Sequence, residues 1–99
     1  MTSATEPRVT VRVTAVLQKL TNGQKAVEAQ GATIGAILEN LEVRHPGFKA
    51  QMVGDDGRLH RFVNVYLNDE DIRYTGGVDT AVREGDVVDI LPALAGGAW

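Results

Sequence analysis

The sequence predicts an α+β domain: a mixed sheet of four to five strands with one main helix packed on one face. Three observations carry that prediction. Val9, Val11 and Val13 alternate with Thr10, Arg12 and Thr14, the period of a half-buried strand. Ile34, Ile37, Leu38 and Leu41 fall at i, i+3, i+4 and i+7, one stripe of an amphipathic helix. Two further alternations follow the helix, Val63/Val65/Leu67 and Val88/Ile90. A chain of 99 residues has material for one hydrophobic core and no second domain.

Taken in order, residues 1–7 are polar, end at Pro7 and read as an arm. The domain is expected over 8–92 and a tail over 93–99. A first strand is expected over about 8–17, then a hairpin turn at Thr21-Asn22-Gly23-Gln24, where Asn-Gly supplies positive φ angles. Lys25–Ala29 returns as the second strand. Thr33 is placed to cap the helix, and Pro46-Gly47 to stop it just after Arg44 and His45. Residues 48–60 read as irregular with room for a short helical piece, and Gly54-Asp55-Asp56-Gly57 as a turn. Arg61–Leu67 is the next strand, expected beside the first, with Phe62, Asn64 and Tyr66 on the face opposite Val63 and Val65. Asn68-Asp69-Glu70-Asp71 turns the chain, Ile72 and Tyr74 suggest a stub of strand, and Gly76-Gly77 breaks it. After the turn Arg83-Glu84-Gly85-Asp86, the last strand Val87–Leu91 points Val88 and Ile90 inward and Leu91 outward.

Composition removes whole classes of function. Apolar residues are 43% and charged residues 23%, as in ordinary globular proteins. Ten Lys+Arg against thirteen Asp+Glu give a net charge of -3, the wrong balance for neutralising phosphates, so no nucleic-acid partner is expected. There is no cysteine, which excludes disulfides, thiolate metal sites and a Cys nucleophile. No apolar run approaches the roughly 18 residues that cross a bilayer, and the N-terminus lacks a signal-peptide pattern, so the expectation is a cytoplasmic protein without a membrane partner. His45 and His60 read as surface or capping residues. Asp55-Asp56 and Asp69-Glu70-Asp71 lack the spacing of a calcium loop and read as solvated turns. Ser3, the one serine, has no triad around it, and no phosphate-binding glycine motif occurs. The sequence predicts no intrinsic catalytic residue and no bound metal.

The C-terminus differs. Gly96-Gly97 follows the last strand closely, in an uncharged tail of small side chains. Glycines can thread a narrow channel in extended form, and they leave an acyl carbon unhindered. Such a tail is suited to having its carboxylate activated by a partner.

About residues 9–97 resemble the ubiquitin-like sulfur carrier proteins of the MoaD/ThiS group. The resemblance rests on Lys25 onward after Asn22-Gly23-Gln24, on the stretch Leu59-His60-Arg61-Phe62-Val63-Asn64-Val65-Tyr66-Leu67-Asn68-Asp69-Glu70-Asp71-Ile72-Arg73, and on Glu84 through Gly97, which ends Leu91-Pro92-Ala93-Leu94-Ala95-Gly96-Gly97. The middle stretch resembles most the branch of that group serving bacterial cysteine formation. The fold implied is the ubiquitin-like β-grasp. The function implied is that of a protein cosubstrate, not an enzyme. A ubiquitin-activating-like enzyme adenylates the Gly97 carboxylate with ATP, and a sulfide source converts it to a thiocarboxylate. The acceptor in that branch is an aminoacrylate on pyridoxal phosphate (PLP) in a cysteine synthase; a thiosugar synthase is the other acceptor type considered. The thioester formed in the first case rearranges to an amide-linked cysteine, which a metalloprotease releases.

Ala98-Trp99 departs from carriers that end at the diglycine. With Gly97 inside a peptide bond there is no carboxylate to adenylate. The resemblance implies a precursor trimmed between Gly97 and Ala98 by a JAMM-type zinc metalloprotease; a cloning remnant and a carrier that is never activated are the alternatives. Docking is expected on the sheet face opposite the helix, through Phe62, Tyr66, Leu91 and Leu94, with a second small core as the other reading of Phe62 and Tyr66. Two other functions fit a glycine tail: a ubiquitin-like modifier conjugated through Gly97, and the small subunit of a molybdopterin synthase.

Overall fold

The computed structural model describes residues 6–55, 59–60 and 63–92. Strand β1 spans Arg8–Val13, helix α1 Ala15–Gln18, strand β2 Ala26–Gln30, helix α2 Ile34–Arg44 and helix α3 Phe48–Met52. Strand β3 spans Val63–Leu67 and strand β4 Glu70–Asp71; after two 3-10 turns, Ile72–Tyr74 and Gly77–Asp79, strand β5 closes the domain at Val87–Pro92. The five strands form one mixed sheet in the order β2-β1-β5-β3-β4. Strands β1 and β5 are parallel at its centre and the other pairs antiparallel.

The inner face follows from the alternation. Val9, Val11 and Val13 of β1, Val27 and Ala29 of β2, Val63 and Val65 of β3, and Val88 and Ile90 of β5 are all buried. Against them α2 lays Ile34, Ile37, Leu38 and Leu41, none more than 2% exposed, each contributing roughly 1.5–3 kcal/mol of gross apolar burial. Thr33 caps α2 as expected, its Oγ1 accepting from the amide of Ala36 at 3.1 Å. Phe48 and Met52 of α3 complete the core under the end of α2. Asn22 and Gly23 adopt φ values of 56° and 82°, the left-handed geometry the Asn-Gly pair favours.

Four sequence expectations are corrected. The first strand ends at Val13, not residue 17, because Ala15–Gln18 coil into α1 and the Gln18 side chain bonds the carbonyl of Val13 at 3.2 Å. The connection to β2 is therefore a helical turn followed by the Asn-Gly bend, not a bare hairpin. The strand stub is Glu70–Asp71, two residues earlier than expected, while Ile72–Tyr74 wind into a 3-10 turn that buries Ile72 completely. Finally, the strand beside β1 is β5, not β3. A parallel neighbour needs a long crossover, and all of the chain from β2 to β4 supplies it.

Candidate functional site

The sheet face away from α2 is where the sequence places docking residues. The register aligns Ala26, Arg12, Asp89, Tyr66 and Asp71 in one row across all five strands, and Leu91 stands opposite Asn64 in the next. Successive side chains of a strand point to opposite faces, so this row faces outward because its neighbours Val11, Val88 and Val65 face in. Leu91 is 42% exposed and Tyr66 half-buried. Tyr66, Leu91, Asp69 and Asp89 line one shallow depression of about 320 Å³. Two of the predicted docking residues are thus brought together; Phe62 and Leu94 lie outside the described residues, as do Gly96, Gly97 and Ala98.

Arginine–aspartate pairs flank this depression, and the sequence reading did not identify them. Arg12 holds Asp89 in a two-pronged contact, Nε to Oδ1 at 2.5 Å and Nη2 to Oδ2 at 2.7 Å. Arg73 donates through Nη2 to Asp71 Oδ2 at 2.9 Å and to Asn64 Oδ1 at 2.8 Å. The side-chain and backbone hydrogen bonds from Arg73 hold the Asp71 carboxyl below its ordinary range, and Asp71 in turn raises the Arg73 guanidinium. Asp71 is therefore an ion-paired group and not the freely solvated turn residue expected. Strand alternation could have placed Arg12 and Asp89 outward; only knowledge that β5 adjoins β1 pairs them.

The end of β5 is shaped by the backbone. Within the parallel ladder the amide of Thr10 donates to the carbonyl of Asp86 at 3.0 Å; the register ends at Val13 and Ile90, and its continuation would have called on the amide of residue 92 and the carbonyl of Thr14. That carbonyl is already taken by the amides of Leu17 and Gln18, at 3.0 and 3.2 Å, as α1 begins. Residue 92 is a proline and has no hydrogen to give. β5 thus outlasts β1, and among the described residues Pro92 pairs with β3 alone.

The helical side presents a larger cleft of about 610 Å³ lined by Glu42, Lys49, Ala50, Val53, Gly54, Asp55 and His60. Of its two acids, Glu42 is structurally committed: it accepts from the backbone amides of Lys49 at 2.9 Å and Gly47 at 3.2 Å, which lowers its pKa. His45 ends α2, its amide bonded to the carbonyl of Leu41 at 2.7 Å. Among the described residues no three His, Asp or Glu side chains are grouped to hold a metal ion. None of the described helices is long and apolar enough to cross a membrane.

With this geometry in view, comparison with known proteins is specific. The model of the ThiS family matches residues 11–97. The sulfur carrier protein CysO of Mycobacterium tuberculosis is 48% identical over 91 residues, 90% of this chain and 98% of that protein. A chain of the crystallised Amycolatopsis orientalis BexX/CysO complex is 50% identical, superposes with a TM-score of 0.84, and is matched over 99% of its length by 90% of this chain. Small archaeal modifier protein 3 of Haloferax volcanii is 33% identical over 78 residues, 76% of this chain and 84% of that protein.

Proposed function

This chain belongs to the ThiS family, and on that premise we propose that it is a sulfur carrier whose reactive group is the C-terminal carboxylate of Gly97. The fold is the ubiquitin-like β-grasp of the related carriers. The observation that carries the proposal is the likeness to CysO over nine-tenths of the chain, together with a family match that runs to residue 97 and so includes Gly96-Gly97 but not Ala98-Trp99.

Removal of Ala98-Trp99, the task of a JAMM-type zinc metalloprotease, frees the carboxylate. A carboxylate oxygen then attacks the α-phosphorus of ATP on an adenylating enzyme, and pyrophosphate leaves. Sulfide (HS⁻) attacks the acyl carbon, AMP leaves as the C–O bond to phosphate breaks, the S–H proton is lost, and a thiocarboxylate remains. Its anionic, polarizable sulfur is nucleophilic near neutral pH for the reason a thiolate outperforms a thiol. The consumer is a synthase that forms a carbon–sulfur bond, of the cysteine or thiosugar type. The folded body presents the tail and docks through the outer sheet face, while ATP, PLP and zinc belong to the partner enzymes.

The likeness to a small archaeal modifier protein favours one second reading, conjugation of Gly97 to lysines of other proteins. Intact-mass measurement decides. The chain ending at Gly97, incubated with its adenylating enzyme, ATP and a sulfide source, should gain the mass of sulfur in place of oxygen. The chain ending at Trp99 should gain nothing until the protease is added. A ladder of protein adducts supports the modifier instead, and loading of the untrimmed chain overturns the proposal.

A further inference from the structure

Among the described residues, the outer face carries more negative charge beside its apolar patch than its cations neutralise. Arg12 is committed to Asp89, and Arg73 to Asp71 and Asn64. Asp69 is left over. It projects from the turn between β3 and β4 at a φ of 73°, is exposed, and makes no hydrogen bond or ion pair with a described residue. Its carboxylate adds only a longer-range attraction to Arg12, so Arg12, Asp69 and Asp89 together amount to one cation against two anions.

Those surplus electrons border a surface of a particular shape. Asp69 and Asp89 share their depression with the Tyr66 ring and the Leu91 side chain, the latter 42% exposed. An aliphatic side chain, an aromatic residue and a carboxylate with no ion-pair partner among the described residues, all lining one concavity, match a long side chain with an apolar stem and a planar cationic head. Guanidinium stacks on aromatic faces and is more weakly hydrated than ammonium, so it gives up water more readily at such a place.

We propose that this depression receives an arginine of the adenylating enzyme, its head group against Asp69 and its stem over Tyr66 and Leu91. The inference rests on the carrier reading, and it assigns to Asp69 the part of a docking residue at the interface rim. Rim charges act on encounter and salt dependence, whereas apolar contacts act regardless of salt. The arginine therefore strengthens the encounter between carrier and enzyme without entering the chemical step.

ATP–pyrophosphate exchange by the adenylating enzyme of the same organism, with the Gly97-ended chain as substrate, tests this. Asp69→Asn keeps a residue that accepts the left-handed turn, so the fold is retained. It should raise KM for the carrier about tenfold at low salt with kcat unchanged, and the difference should shrink to within about twofold in molar salt. Asp55→Asn, the same charge change on the helical side, should leave KM within about twofold. Leu91→Ala should raise KM at both salt concentrations. An unchanged KM for Asp69→Asn, or equal effects of Asp69→Asn and Asp55→Asn, overturns the arginine contact. So does a dimer of the wild-type chain in light scattering that Asp69→Asn dissolves, since the face would then meet a second copy. If the wild-type chain supports no exchange at all, the carrier reading itself fails, a result distinct from exchange that ignores Asp69.

Discussion

Asn68 and Val87 are joined twice: the amide of Asn68 donates to the carbonyl of Val87 at 2.9 Å, and the amide of Val87 donates to Oδ1 of Asn68 at 2.9 Å. The side chain thereby extends the β3–β5 ladder past the last residue of β3. Its Nδ2 also reaches Asp86 Oδ1 at 3.0 Å, and Asp86 Oδ2 accepts from the amide of Arg83 at 2.8 Å, so one asparagine ties two turns together. Asn68 manages this at a φ of 50°, a region asparagine enters more readily than most residues. Asn68→Ala loses the side-chain bonds and keeps the strained φ. Urea denaturation should show a loss of about 2 kcal/mol; a loss under about 0.5 kcal/mol would mean that the turn holds without its side chain.

A second prediction concerns the approach of α2 to the sheet. Gly31 follows β2 directly, and a Cβ built there would stand 2.7 Å from the Cβ of Ala36 and 2.8 Å from the backbone of Ala36 and Ile37. Helix backbone cannot yield as a flexible side chain can, so Gly31→Ala must lift the first turn of α2 from β2. The expected destabilisation is about 2–3 kcal/mol, the range of overpacked cores. Gly85→Ala is the useful contrast: nothing stands within 4 Å of its Cβ, so any loss there reports only its positive φ of 86°. Equal melting temperatures for Gly31→Ala and the wild type would contradict the packing described.

Much of this architecture was legible in the sequence, and the failures have two causes, an ambiguous period and a non-local pairing. The α2 stripe and the inward valines of β1, β3 and β5 are local periodicities, which a linear reading detects. Val13 and Leu17 mislead because four residues apart is the same face both of a strand and of a helix, so burial of Leu17 fits either; the Gln18 bond to Val13 decides for the helix. The placement of β5 beside β1 is a pairing across 77 residues, and no local pattern encodes it. The site followed suit. Tyr66 and Leu91 were readable as outward residues, but the Arg12–Asp89 pair and the isolation of Asp69 exist only once that central pairing is known.

Acid should act through Glu42. Its carboxylate accepts the amides of Lys49 and Gly47, joining the end of α2 to the start of α3, and these bonds lower its pKa from the ordinary 4.5. A carboxyl with a lowered folded-state pKa adds stability that is complete above its unfolded value and is lost as pH falls through the folded one. Asp71, held low by Arg73, contributes with the same sign. The melting temperature of the wild type should thus hold from neutrality to about pH 5 and then fall. Glu42→Gln should start lower at neutrality and decline less steeply with acid, so the two curves converge. Parallel curves would remove Glu42 from the account of acid sensitivity.

The last prediction separates what Leu91 does for the fold from what it does for a partner. Its neighbours in β5, Val88 and Ile90, are at most 1% exposed, whereas Leu91 keeps 42% of its surface in water. More than half of the side chain is still covered, so Leu91→Ser should lower stability by about 1–2 kcal/mol in urea denaturation, less than a fully buried leucine would lose. The same change removes that side chain from the depression it shares with Tyr66 and, under the proposed function, should also weaken adenylation of Gly97, because an apolar anchor at the centre of a contact carries a disproportionate part of its energy. A rise of about tenfold or more in KM for the carrier at unchanged kcat is the expected reading. If Ile90→Ala, a core truncation, unfolds the chain while Leu91→Ser leaves it folded and KM as it was, the outer face near the tail is not where the adenylating enzyme docks.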